Sequence, residues 1–243
     1  MSNKLLLFMA CITILVSCQK STSNEQDNSN NQNVGLPSSA ETKPQYNNTS
    51  FGVYKGVIIG STGTIVFKIN NGDNILKGYL AIDNTKDTLS TTQTVIAGQP
   101  IVNVHFVGRI SSMNLSANAD GTNAIVTNIS ITGHSNVAVL VIHENSTKQI
   151  FCYEGTFSGS RSGTINCARV GAGNGDTAYI LTKIQDTAAY FTGYGQVNNN
   201  STSINLGANL AFINQGNFSG NNFNGTWTWT YYGTGTFACT RTY

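Results

Sequence analysis

A chain of 243 residues with 40% hydrophobic content is long enough to bury one large β domain or two smaller ones. Only 10% of its residues are charged, against about 25% in an average soluble domain, and the net charge of +2 comes from lysines and arginines scattered singly. That excludes the basic footprint nucleic acid requires, and it leaves solubility to Asn, Thr, Ser and Gly.

At the N-terminus, Lys4 places a positive charge ahead of Leu5 to Val16, an apolar run too short and too closely followed by polar sequence to span a bilayer. It reads as an export signal. The run closes on Leu15-Val16-Ser17-Cys18, which resembles the lipobox of bacterial lipoproteins, and the resemblance covers residues 1–18 alone. It implies that Cys18 is the lipid attachment site, and that two or three acyl chains hold the protein stably to a membrane. With Gln19 rather than Asp after the cysteine, it also implies the outer membrane of the envelope. Residues 19–50 are rich in Ser, Asn, Gln and Thr and offer only Val34, Leu36, Ala40 and Tyr46 as apolar side chains. So few cannot offset the entropy of ordering, and a disordered tether with a reach on the order of 30 Å is predicted.

From residue 51 onward apolar and polar residues alternate, and turn signals recur roughly every eight to twelve positions, as in antiparallel all-β structure. Strands are expected at 53–59, 64–70, 76–82, 101–107, 110–117, 124–132 and 137–143, then at 150–157, 164–170, 177–182, 188–193, 203–206, 223–231 and 234–242. The run 137–142 is apolar on both faces, as in a covered central strand, while 184–191 has helix-compatible spacing. Tyr54-Lys55-Gly56 and Gly60-Ser61-Thr62-Gly63-Thr64-Ile65 recur as Tyr153-Glu154-Gly155 and Gly159-Ser160-Arg161-Ser162-Gly163-Thr164-Ile165, about one hundred residues on. Thr234 to Arg241 repeats the return strand Ser162 to Arg169 once more. These matches predict a diverged tandem duplication with halves at 51–147 and 148–243, an antiparallel meander forming one barrel or sandwich, or two stacked units. The last strand is expected to close the sheet against the N-terminal strands.

Cys11 leaves with the signal and Cys18 is taken by lipid, so Cys152, Cys167 and Cys239 remain in a compartment that permits oxidation. One disulfide with a free thiol and three buried thiols are both compatible; the reduced state is favoured, because opposed hairpin positions do not ensure bridging geometry. No Cys pair has zinc-site spacing, and His105, His134 and His143 form no local motif. Asp73, Asp83, Asp120 and Asp176 sit in turns, Gly159 to Gly163 carries Arg161 where a nucleophile elbow needs Ser, and nothing in the spacing brings Glu144 to Glu154 as facing carboxylates. No catalytic, metal or cofactor site is therefore predicted.

The sharpest binding candidate is the strand 226–231, where alternation puts Trp227, Trp229 and Tyr231 on one face, with Asn222 and Asn224 nearby. A buried row would be core, the favoured reading for Trp; an exposed row would be a platform on which sugar rings stack. The sequence thus points to a lipid-anchored, non-catalytic binding or structural module of the envelope. Its partners are the membrane and either a glycan or an envelope protein. An envelope glycan hydrolase and a surface-coat component are the alternatives.

Overall fold

The computed structural model describes residues 36–185, 187, 190–206, 211–231 and 233–243; the signal, Cys18 and residues 19–35 lie outside them. Among the described residues there are sixteen strands. The first eight are β1 (Gly52–Ile59), β2 (Gly63–Ile69), β3 (Leu76–Ile82), β4 (Thr85–Ser90), β5 (Ile101–Val107), β6 (Ser111–Ala117), β7 (Ile125–Ile131) and β8 (Ala138–His143). The second eight are β9 (Ile150–Gly159), β10 (Gly163–Val170), β11 (Asp176–Ile184), β12 (Tyr190–Asn198), β13 (Ser201–Asn205), β14 (Ala211–Ser219), β15 (Asn222–Trp229) and β16 (Gly233–Arg241). The only helical piece among them is a three-residue 3₁₀ turn, Pro44–Tyr46.

Every pairing is antiparallel. β1 to β7 form a meander, and β8 returns to pair with β1, giving a nearly closed barrel that lacks only β7–β8 pairing. β9 to β16 repeat the meander and close completely, β16 on β9. Eight strands make a barrel just wide enough for side chains to fill, and each half fills its own. Tyr54, Ile65, Phe67 and Phe106 pack in the first interior, and Tyr153, Ile180, Phe223 and Trp227 in the second. The repeat is legible residue by residue. Gly56 lies opposite Ile65 and Val141, as Gly155 lies opposite Ile165 and Cys239. A Cβ at Gly56 would collide with the Leu140 carbonyl, and one at Gly155 with the Ala238 carbonyl. The closing strand therefore approaches too closely for any side chain in either half.

The expected closure of the last strand against the N-terminal strands is corrected by this topology, because β16 needs only β9 to complete an eight-stranded barrel. The spacing at 184–191 builds no helix among the described residues; it ends β11 and begins β12. Two strands, β4 and β14, went unpredicted. In β4 the inward positions are Asp87 and Leu89, so half of its buried face is a carboxylate. Asp87 accepts the Arg109 and Ile110 N–H groups at 2.9 Å and the Ser111 hydroxyl at 2.7 Å, tying the β5–β6 turn to the barrel. The abundance of Asn also has a structural account. All ten described non-glycine residues with positive φ are Asn or Asp, including Asn103 and Asn128 at bulges in β5 and β7, and these are the side chains that best tolerate the left-handed region.

The predicted tether is corrected from residue 37 onward. This segment is a strap across one mouth of the first barrel and touches each loop there. Lys43 N–H donates to Asn71 Oδ1 at 3.0 Å, Asn47 Nδ2 to the Ser146 hydroxyl at 3.0 Å and the Ser50 hydroxyl to the Gln99 carbonyl at 2.7 Å. Thr49 places its carbonyl where a Cβ on Gly121 would stand. Polar side chains and backbone, not apolar burial, order the strap, so a count of apolar residues missed it.

The two barrels form one compact unit. Val57 and Ile59 of β1 pack against Ile150 and Cys152 of β9, Ala168 of β10 and Leu181 of β11. All three described cysteines, Cys152, Cys167 and Cys239, are free and buried. Cys152 lies opposite Ala168 and Cys167 opposite Tyr153, so Cys152 faces the other barrel while Cys167 and Cys239 face the interior of their own.

Candidate functional site

Alternation along β15 turns Phe223, Gly225, Trp227 and Trp229 inward. Trp227 is 6% exposed, packs edge-on against Phe157 at 5.5 Å and donates its indole N–H to the Ser158 carbonyl at 3.1 Å. Trp229 meets Phe191 edge-on at 4.7 Å. The aromatic row is therefore core, and the platform reading of it is corrected. Asn222 and Asn224 are exposed on the opposite face of the strand, and Tyr231 lies beyond its end, exposed; the five residues share no surface. Beside the tryptophans lies an apolar cavity of about 30 Å³ lined by Phe157, Ile184, Phe191, Leu206 and Ile213 among others. It has room for little more than a water, and its wall is mainly apolar, with Thr182 and Thr228 among the lining residues.

The buried charges are structural. Lys55 Nζ lies 2.7 Å from Glu144 Oε1 and 2.9 Å from Glu41 Oε2, with both the Lys55 and Glu144 side chains 0% exposed. Glu144 also accepts the N–H groups of Ile150 at 3.0 Å, Glu41 at 2.6 Å and Thr42 at 3.2 Å. Tyr243 donates its hydroxyl to Glu41 at 2.8 Å and places its ring under Lys55. Burial would raise the Glu41 carboxyl, but Lys55, Lys68 and the Tyr243 hydroxyl more than cancel it and hold the group below its usual range. Glu154, the repeat counterpart of Lys55, accepts hydrogen bonds from the Thr64 and Thr242 hydroxyls across the barrel contact, and burial raises its pKa. His143 accepts or donates at 2.8 Å to the Phe51 carbonyl according to tautomer, and burial lowers its pKa. His105 contacts Asn114, and His134 lies 3.6 Å from Asp83. Asp176 accepts Lys148 Nζ and the Gly173 N–H, both at 2.7 Å, as part of a loop.

A roomy concavity lies where the two convex barrels part. It is a groove of about 720 Å³ between Ala138, Val139 and Leu140 of β8 and the outer face of β11 and β12, with Asn205 at its side. That volume is in the usual range for small-ligand sites. Its aromatic wall is Tyr179, Tyr190 and Tyr194. Tyr179 and Tyr194 are direct cross-strand partners with ring centroids 6.0 Å apart, and Tyr190 and Tyr194, two alternations apart, stand about 13 Å from each other. Tyr190 is 52% and Tyr194 73% exposed. Leu140 and Leu181 form the apolar floor, Thr192 and Asn205 add hydrogen-bonding groups, and the described lining carries no charged side chain. The sequence reading missed these tyrosines. Its only signal was the alternation of Tyr190, Thr192 and Tyr194 with Phe191, Gly193 and Gly195, in which either face could be core.

Comparison of the chain with protein families, curated proteins and solved structures finds no match in any of the three. The protein is defined by its architecture, a tandem pair of eight-stranded up-and-down barrels.

Proposed function

We propose that this is a lipid-anchored envelope protein, held by acyl chains on Cys18, whose inter-barrel groove binds a glycan without cleaving it. The observation that carries the reading is the exposed tyrosine wall over an apolar floor in a groove whose described residues are uncharged. A sugar ring has apolar C–H faces and a belt of hydroxyls. Tyr179, Tyr190 and Tyr194 offer ring faces for the first, and their hydroxyls, Thr192 and Asn205 offer partners for the second. Hydrolysis needs two carboxylates flanking the bond, and the buried Glu144 and Glu154 are already engaged, the first by Lys55 and the second by the Thr64 and Thr242 hydroxyls. That supports binding over catalysis.

The test is a glycan array probed with the wild type, a Tyr190→Ala, Tyr194→Ala variant and Trp227→Ala. The wild type should bind selectively and the tyrosine variant should lose at least tenfold in affinity with an unchanged melting point. Trp227→Ala should keep its binding while losing about 3–5 kcal/mol of stability, as large-to-small core changes do. A blank array, or binding indifferent to the tyrosines, overturns the proposal and turns the search to envelope proteins.

A further inference from the structure

The exposed aliphatic side chains are unevenly placed. Ile96, Val102 and Ile125 are 65%, 68% and 55% exposed, and all three belong to the strap-covered mouth of the first barrel: Ile96 in the β4–β5 loop, Val102 at the start of β5 and Ile125 at the start of β7. Val107 is at the other end of β5. Ile101 pairs with Ala117 and Ser116 with Ile125, and Ser116 bonds the exposed Asn103, so Ser116 and Asn103 are the polar neighbours of Val102 and Ile125 at this edge. The strap fixes this mouth through the Ser50–Gln99 contact and the approach of Thr49 to Gly121.

The chain enters the fold at the same end, where Gln149 and Arg241 both donate to the Pro37 carbonyl. Residues 19–35, seventeen in all, separate Cys18 from Leu36 and reach at most about 60 Å when fully extended. An anchor on Cys18 therefore keeps this mouth within about 60 Å of lipid and makes it the end by which the fold is held. We infer that the mouth rests on the surface of the anchoring bilayer, with Ile96, Val102 and Ile125 entering the boundary between headgroups and acyl chains. This inference rests on the lipid-anchor reading of Cys18. Its consequence is orientation: the groove, formed by the outer sides of β8, β11 and β12, stays clear of the lipid and open sideways.

The test uses the full-length protein purified from membranes and reconstituted in phosphatidylethanolamine–phosphatidylglycerol vesicles that carry a nitroxide-labelled lipid. A fluorophore is placed on Val102→Cys or on Val107→Cys; the native thiols of the fold are buried and do not compete. Quenching at 102 should exceed that at 107 at least twofold. Equal or absent quenching on vesicle-bound protein overturns the surface and leaves the anchor standing. Mass spectrometry of Cys18 decides the anchor separately. If no acyl group is found, the labelled protein carrying Cys11→Ser and Cys18→Ser is added to vesicles instead, where selective quenching at 102 sustains the surface and none overturns it. A concentration-dependent dimer abolished by Ile96→Ser, Val102→Ser and Ile125→Ser together would assign the patch to a second copy and also overturn it.

Discussion

Replacing Lys55 with Met is the most informative single perturbation of this fold. The side chains are similar in volume, so the change removes charge rather than packing. It leaves Glu144, 0% exposed, without its cation at 2.7 Å, although three backbone N–H groups remain on the carboxylate. Glu41 is partly exposed and keeps Lys68 at 3.1 Å, so it adds little to the cost. Removing one partner of a buried pair costs about 3–5 kcal/mol. At about 2–4 °C per kcal/mol for a chain of this size, the melting point should fall by about 6–20 °C. Urea unfolding of Lys55→Met beside Lys68→Met gives the comparison, because Lys68 is 31% exposed and its loss should cost under about 1 kcal/mol. Equal, small losses in the two variants would refute the buried network as a structural staple.

Three other outcomes follow from the same structure. With falling pH, two buried groups first oppose each other: His143, whose pKa burial lowers, withdraws stability as pH passes below the ordinary imidazole value of 6.5, while Glu154 returns some. Glu154 binds its proton more tightly when folded, so its penalty is relieved as pH drops toward the ordinary glutamate value of 4.5. Glu41 and Asp87 hold depressed values and withdraw their contribution once pH passes below the ordinary range. Between pH 7 and pH 4.5 the melting point of the wild type should decline less than that of Glu154→Gln, and parallel curves would refute the Glu154 reading. Burial pushes the thiols of Cys152 and Cys239 up to about 12 and Cys167 well above its usual value. A thiol reagent at pH 8 should therefore leave all three unmodified in the native protein and label all three in urea; a disulfide found between any two by mass spectrometry contradicts the reading. Gly155→Ala should cost at least the ~1–3 kcal/mol of an overpacked core and raise hydrogen exchange in β16, since the obstacle is the Ala238 backbone. Wild-type exchange would show that the seam has slack.

The all-β class and the duplication were legible because alternation and the Tyr-x-Gly and Gly-Thr-Ile matches are local. Closure was not, because nothing local says whether Thr234 to Arg241 pairs with β1 or with β9; only the register of Gly155 against Cys239 decides it. β4 was hidden by an inward carboxylate, and the strap by polar contacts with residues up to two hundred positions away, such as Glu41 with Tyr243. At the candidate site, a period-two pattern drew attention to Trp227 and Trp229, which face the core, and passed over the exposed tyrosines of β12. Both Trp227-Thr228-Trp229 and Tyr190-Phe191-Thr192-Gly193-Tyr194 alternate, and the choice of inward face belongs to barrel geometry rather than to either strand.

The strap also determines how the molecule carries load. A pull on the chain ahead of Leu36 reaches Pro37 first, where Gln149 and Arg241 of the second barrel grip its carbonyl. It then meets Glu41, clamped by Lys55 and Lys68 of the first. Tension is thus shared between both barrels at their junction before any strand is peeled from its neighbour, and the first bonds to yield are side-chain contacts that can re-form when the pull is released.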